Sequence, residues 1–150
     1  MHLWAGTASA LTGPAAKFSD AVYNKSRLPV RELEAARITM ARINDCNICQ
    51  TLRTAGGPEE SFYDAVLGEP GSAPDALSTR EALAAEFARR FATDHLNMDD
   101  DLWARLHAVF SDDELVELGL CVGSWLALGR LNRVFDVDGT CRIPAGHGGQ

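Results

Sequence analysis

Residues 99–131 read DDDLWARLHAVFSDDELVELGLCVGSWLALGRL, and the periodicity of this stretch decides the fold class. Leu102, Trp103, Leu106, Val109 and Phe110 fall at i, i+1, i+4, i+7 and i+8, which places them on one stripe of a helix. Asp99, Asp100 and Asp101 precede them, and acidic groups in a first turn favour the positive end of the helix dipole. Ser111 and Glu114 then have the spacing of a capping box, in which each side chain satisfies an otherwise orphaned N–H. The helix this opens, from Leu115 to Leu131, is apolar on nearly every side. The pattern predicts a central buried helix or one at a subunit contact.

The same signals recur towards the N-terminus. Ser78 and Glu81 form a second capping box, ahead of Leu83, Phe87 and Phe91 at four-residue intervals. Pro29 and Pro58 mark further helix starts, because proline in a first turn gives up only an N–H that has no partner there. Between them, residues 31–55 read as two helices broken near Asn44-Asp45, the second beginning at Cys46 and stopped by Gly56-Gly57. Gly68 to Pro74 is a short Gly/Pro-rich loop, and an irregular tail begins at Asp136. With no run of alternating β-branched residues, the reading is an all-α fold forming a single domain over residues 1–150.

Charge and composition narrow the function. Fourteen Lys and Arg against 21 Asp and Glu give a net charge of -7, unfavourable for a phosphate backbone or an anionic bilayer surface. Nucleic acid and membrane are therefore not expected partners. The longest apolar run, Leu118 to Gly129, falls short of the roughly 20 residues a bilayer span requires. No Lys or Arg precedes Lys17, so the basic region of a signal peptide is missing and a cytoplasmic location is expected. In that reducing compartment, the 4 cysteines read as reactive, ligating or simply buried groups, not as a disulfide framework.

Cys46-Asn47-Ile48-Cys49 is the one arrangement that stands out chemically. Thiols three residues apart at a helix start share a face and can form a reversible disulfide, and the helix N-terminus favours the thiolate. A thioredoxin reading requires a βαβ context that the chain lacks. Zinc requires four ligands, whereas Cys121 and Cys141 stand alone and His95 and His107 are far apart, so no metal or cofactor is assigned. Two packed cysteines that happen to have this spacing remain the simpler alternative.

Arg53 follows Cys49 by four residues, so on a continuous helix its charge would lie beside the thiol and hold it as a thiolate. It reads equally as a surface arginine. Glu34 has Ile38 and Ala41 on its own side of the preceding helix, and desolvation there would raise its pKa towards the range of a general base. An ordinary glutamate paired with Arg37 is the other reading. Cys121 reads as packing, His95 and His107 as helix or cap residues, Asp112-Asp113-Glu114 as first-turn acidity, and Cys141 as an exposed thiol.

Leu28-Pro29, Glu32-Leu33-Glu34, Asn44-Asp45-Cys46-Asn47-Ile48-Cys49 and Phe110 to Leu118 together resemble the carboxymuconolactone decarboxylase and alkylhydroperoxidase D-like superfamily, over about residues 28–137. The resemblance implies an all-helical bundle assembled as a homo-oligomer, a trimer or hexamer, with its active site near a subunit contact. It also implies that Cys49 attacks a peroxide, Cys46 resolves the sulfenic acid to a disulfide, Glu34 relays protons, and a separate reductant restores the dithiol. Arg53 stands where the peroxidase pattern has histidine, and Ile48 where some members carry another. Arginine can stabilise a thiolate but cannot pass on a proton. The decarboxylase branch implies a lactone-processing lyase instead. A third reading is a non-enzymatic helical oligomer that keeps the fold.

Overall fold

The computed structural model describes residues 10–73 and 76–135. They form α1 (Thr12–Asn24), α2 (Val30–Ile43), α3 (Asn47–Thr51), α4 (Glu60–Leu67), α5 (Thr79–Thr93), α6 (Asp100–His107) and α7 (Asp112–Val134), with one 3-10 turn at His95–Asn97. No strand occurs among the described residues. The all-α reading is therefore correct. The tail from Asp136, which includes Cys141, and Pro74 in the Gly68 to Pro74 loop lie outside the described residues.

The helix starts follow from local chemistry. Both predicted capping boxes form: Ser78 with Glu81 opens α5, and Ser111 with Glu114 opens α7. Asp99 caps α6 by accepting from the Leu102 N–H at 2.9 Å. Pro29 caps α2, which begins at Val30. The Glu117 carboxylate reaches across from α7 to accept from the Ser26 hydroxyl and the backbone N–H groups of Arg27 and Leu28. The segment entering α2 is thus tied to the final helix.

The centre of the packing is α2, and of the two places the sequence offered for α7, the central one is not what the fold shows. It lies along α5 and also touches α7, α4 and α3, and residues 32–38 of it are all buried. Ala35 and Ala36 on α2, with Ala84 and Ala88 on α5, are completely buried. Such small side chains let two helices lie close. Phe62 and Tyr63 from α4, Leu102 and Leu106 from α6, and Leu118 and Val122 from α7 fill the remaining core. One face of α7 stays in solvent, with Val116 65% exposed and Leu120 56% exposed.

The segment after α2 also departs from expectation. The chain does break at Asn44-Asp45, but Cys46 takes the N-cap position, and α3 is only 5 residues long. Asp45 adopts the left-handed conformation with φ 51°, and its carboxylate meets Arg133 Nε at 3.1 Å. Asn44 donates to the Trp125 carbonyl at 2.9 Å and accepts from Arg130. Gly129 makes this approach possible, since a Cβ there would lie 2.5 Å from Asn44 Nδ2. The chain then leaves the helix after Thr51 and turns through Gly56 at φ 73°. α1 gave no sequence signal strong enough to predict it.

Candidate functional site

The Asn44-Asp45 turn, pinned to α7, sets the position of the two thiols. Cys46 and Cys49 are joined as a disulfide with their Cα atoms 5.2 Å apart. Cys46 is completely buried, whereas Cys49 is only partly covered. The Cys49 N–H donates to Cys46 Sγ at 3.3 Å, so the first sulfur occupies the capping position of α3.

Glu34 and Arg37 lie beneath this turn as a bidentate pair, with both contacts at 2.8 Å and both side chains almost wholly buried. Glu34 accepts two further hydrogen bonds, from the Thr54 hydroxyl at 2.6 Å and the Tyr63 hydroxyl at 2.7 Å. Four donors meet its two oxygens, which fills the acceptor capacity of a carboxylate. Burial by itself raises its pKa, but the hydrogen bonds and charge of Arg37, with those from Thr54 and Tyr63, hold it below the usual carboxylate range. Of the two sequence readings of Glu34, the raised value is corrected and the pairing with Arg37 is borne out. The correction has a physical reason: the carboxylate is desolvated, but it is also paired and fully hydrogen-bonded.

Arg37 carries this order into the cysteine turn. Its Nη1 donates to the Cys49 carbonyl at 2.6 Å, and its Nη2 to the Leu52 carbonyl at 2.9 Å. The guanidinium therefore binds both the buried acid and the backbone at the end of α3.

Arg53 is placed differently from the sequence expectation. α3 ends before it, and its guanidinium pairs with Glu60 at 2.8 Å while donating to the Gln50 and Leu52 carbonyls. It also stacks over the Tyr63 ring, 4.1 Å from the centroid. Its link is thus to Glu34 through Tyr63, not to the Cys49 sulfur along one helix face. Burial, with the neighbouring Glu34, pushes the Tyr63 hydroxyl up to about 12, so it remains a donor.

A cavity of about 140 Å³ opens beside the disulfide, bounded by Tyr23 of α1, Arg37, Cys49 and, from α7, Trp125, Leu128 and Asn132. This space is close to that of an engineered cavity of about 150 Å³ that holds benzene. Trp125 Nε1 and Asn132 Oδ1 are buried at its wall with no hydrogen-bond partner among the described residues. The Trp125 indole lies by the Tyr23 hydroxyl but lacks hydrogen-bond geometry to it. Burial is the main cause raising the Tyr23 hydroxyl above its ordinary value.

No protein-family model, curated protein or solved structure matches the chain.

The remaining candidates are placed away from the disulfide or packed. Cys121 is buried within α7, and burial pushes its thiol up to about 11. His107 faces Asp112 at 3.3 Å, and His95 lies in the 3-10 turn. Among the described residues no group of three or more His, Cys, Asp or Glu is arranged to hold a metal ion. No helix among them is long and apolar enough to cross a membrane. Sequence reasoning missed Thr54, Tyr63 and the cavity wall on α7, and gave Arg37 only a pairing role. The i,i+3 spacing of Glu34 and Arg37 was the one available signal, and it says nothing of the carbonyls beyond.

Proposed function

We propose that the protein is a thiol-dependent oxidoreductase that reduces peroxides by cycling Cys46 and Cys49 between dithiol and disulfide. The observation that carries this reading is the disulfide itself, with one buried and one partly exposed cysteine at the edge of a small, largely apolar cavity. The resemblance around residues 28–137 supports the same chemistry.

In the reduced protein the Cys49 thiolate attacks the terminal peroxide oxygen. An S–O bond forms, the O–O bond breaks, and the leaving alkoxide takes a proton to become an alcohol. Cys46 then attacks the sulfenic sulfur, releasing water and forming the disulfide. Two electrons and two protons from an external dithiol reductant restore the starting state. Cys49 is assigned the first step because it lines the cavity while Cys46 is covered.

Glu34 has a holding role in this scheme. Its oxygens are occupied by four donors, so it fixes Arg37, and Arg37 fixes the Cys49 and Leu52 carbonyls. Arg53 keeps Tyr63 against Glu34 and closes the end of α3.

Trapping of the sulfenic acid tests the assignment. Reduced Cys46→Ser treated with an organic hydroperoxide and dimedone should carry one adduct, on Cys49. Reduced Cys49→Ser should carry none at Cys46. An adduct on Cys46 in Cys49→Ser, with none on Cys49 in the other variant, would reverse the order of the two thiols.

A further inference from the structure

The cavity beside the disulfide has a chemistry that the thiol cycle does not use. Ala41 and Asn44, both buried, form its deep end, and the exposed Ile48 and Leu52 form its mouth. The Tyr23 and Trp125 rings meet at 50° with their centroids 6.2 Å apart, which gives the cavity an angled aromatic wall. At about 140 Å³ the space suits a single ring, as does the engineered cavity of about 150 Å³ that binds benzene.

Most polar groups around this space are already engaged. Asn44 donates to the Trp125 carbonyl and accepts from Arg130. Arg37, the one charged residue of the wall among the described residues, is paired with Glu34 and holds the Cys49 and Leu52 carbonyls. An ion entering the cavity would therefore lose its hydration without gaining a free counter-charge.

Two groups are not engaged. Trp125 Nε1 and Asn132 Oδ1 have no hydrogen-bond partner among the described residues, and both residues are more than nine-tenths buried. Native proteins rarely leave such atoms unpaired, so each marks a place where a ligand atom gains a hydrogen bond. The indole can only donate and the amide oxygen can only accept. Trp125 and Asn132 are seven residues apart on α7, on one face and about 10 Å apart along its axis, with Leu128 between them. A molecule that answers both has an acceptor at one end, a donor at the other and an apolar ring between. At the first end the Tyr23 hydroxyl lies by the indole, so one carbonyl oxygen can accept from both.

We propose that the cavity binds a neutral para-hydroxyaryl ketone or amide, its carbonyl oxygen accepting from Trp125 Nε1 and its hydroxyl donating to Asn132 Oδ1. The ring then lies against Tyr23 and Leu128, beside Cys49. Binding rests on the cavity alone. That such a ring is the organic part of a peroxide substrate rests on the peroxide-reducing reading of Cys46 and Cys49.

Titration of the oxidised full chain with 4-hydroxyacetophenone tests this without turnover, at about pH 6 where the ligand hydroxyl keeps its proton. The readout is the indole N–H signal of Trp125 in nitrogen-15 NMR, one of 3 tryptophans in the chain and assigned by its loss in Trp125→Phe. That signal should shift on titration, with a dissociation constant of about 1 mM or below. Acetophenone, which lacks the hydroxyl, should bind about 5-fold more weakly, and Asn132→Leu should make the two ligands bind alike. 4-Hydroxybenzoate keeps the ring and hydroxyl but carries a charge, and should leave the signal in place over the same range. A Trp125 signal that 4-hydroxyacetophenone does not move would overturn the proposal, as it would if residues outside the described ones filled the cavity. So would equal binding of 4-hydroxybenzoate, or a hydroxyl preference that survives Asn132→Leu. None of these results touches the thiol cycle, and a failure of hydroperoxide to oxidise the two thiols would leave the binding result intact.

Discussion

Glu34 shows how one residue type supports opposite sequence readings. Its apolar neighbours on α2 suggest a carboxyl with a raised pKa, whereas the folded protein holds it below the ordinary range through Arg37, Thr54 and Tyr63. A carboxyl depressed in the fold returns in the unfolded chain to about 4.3. Its stabilising contribution is therefore complete above that value and is lost as pH falls through the folded value. Melting temperature should fall on acidification below about pH 4, and Glu34→Gln should flatten that fall relative to the wild type. Other lowered carboxyls, such as Glu81 and Glu117, remain in both proteins, so the difference isolates Glu34. Arg37→Met leaves an unpaired buried carboxylate and should cost about 3–5 kcal/mol in denaturant unfolding. Because Arg37 also holds the Cys49 and Leu52 carbonyls, the same variant should speed reduction of the Cys46–Cys49 disulfide by dithiothreitol. An unchanged reduction rate in a folded variant would mean that Arg37 serves only Glu34.

At the scale of elements, legibility depended on whether the deciding signal was local. The capping boxes at Ser78 and Ser111 are complete within four residues, so both were readable and both form. α3 was read too long because its end is set from outside: Arg37 takes the Cys49 and Leu52 carbonyls, and Arg53 takes that of Gln50. The break at Asn44-Asp45 was legible as a turn, but its attachment to α7 was not, since Asn44 and Gly129 are far apart in sequence. That attachment predicts a specific sensitivity. Gly129→Ala places a Cβ 2.5 Å from Asn44 Nδ2 and must displace the bond to the Trp125 carbonyl. The cost should be about 1–3 kcal/mol in thermal or denaturant unfolding. A neutral outcome would show that the turn and α7 separate freely, and that the cavity beside Cys49 is less rigid than this packing implies.

For the whole molecule, α2 organises the interior while α7 divides its surface between the cavity and a bare apolar stripe. The sequence supplied the all-α class and the two thiols. It could not supply the four-donor shell of Glu34, because Arg37, Thr54 and Tyr63 meet only after α2, the turn at Gly56 and α4 pack together. The proposed chemistry resides at Cys46 and Cys49, and Cys121 lies outside it, its thiol pushed up to about 11 by burial. The most direct measurement is the intact mass and free-thiol count of the fully reduced protein before and after one equivalent of an organic hydroperoxide. Rapid loss of two hydrogens, mapped to a Cys46–Cys49 disulfide with Cys121 still free, is the predicted result. Retention of both thiols on the same timescale, or oxidation mapped to Cys121 in their place, would contradict it.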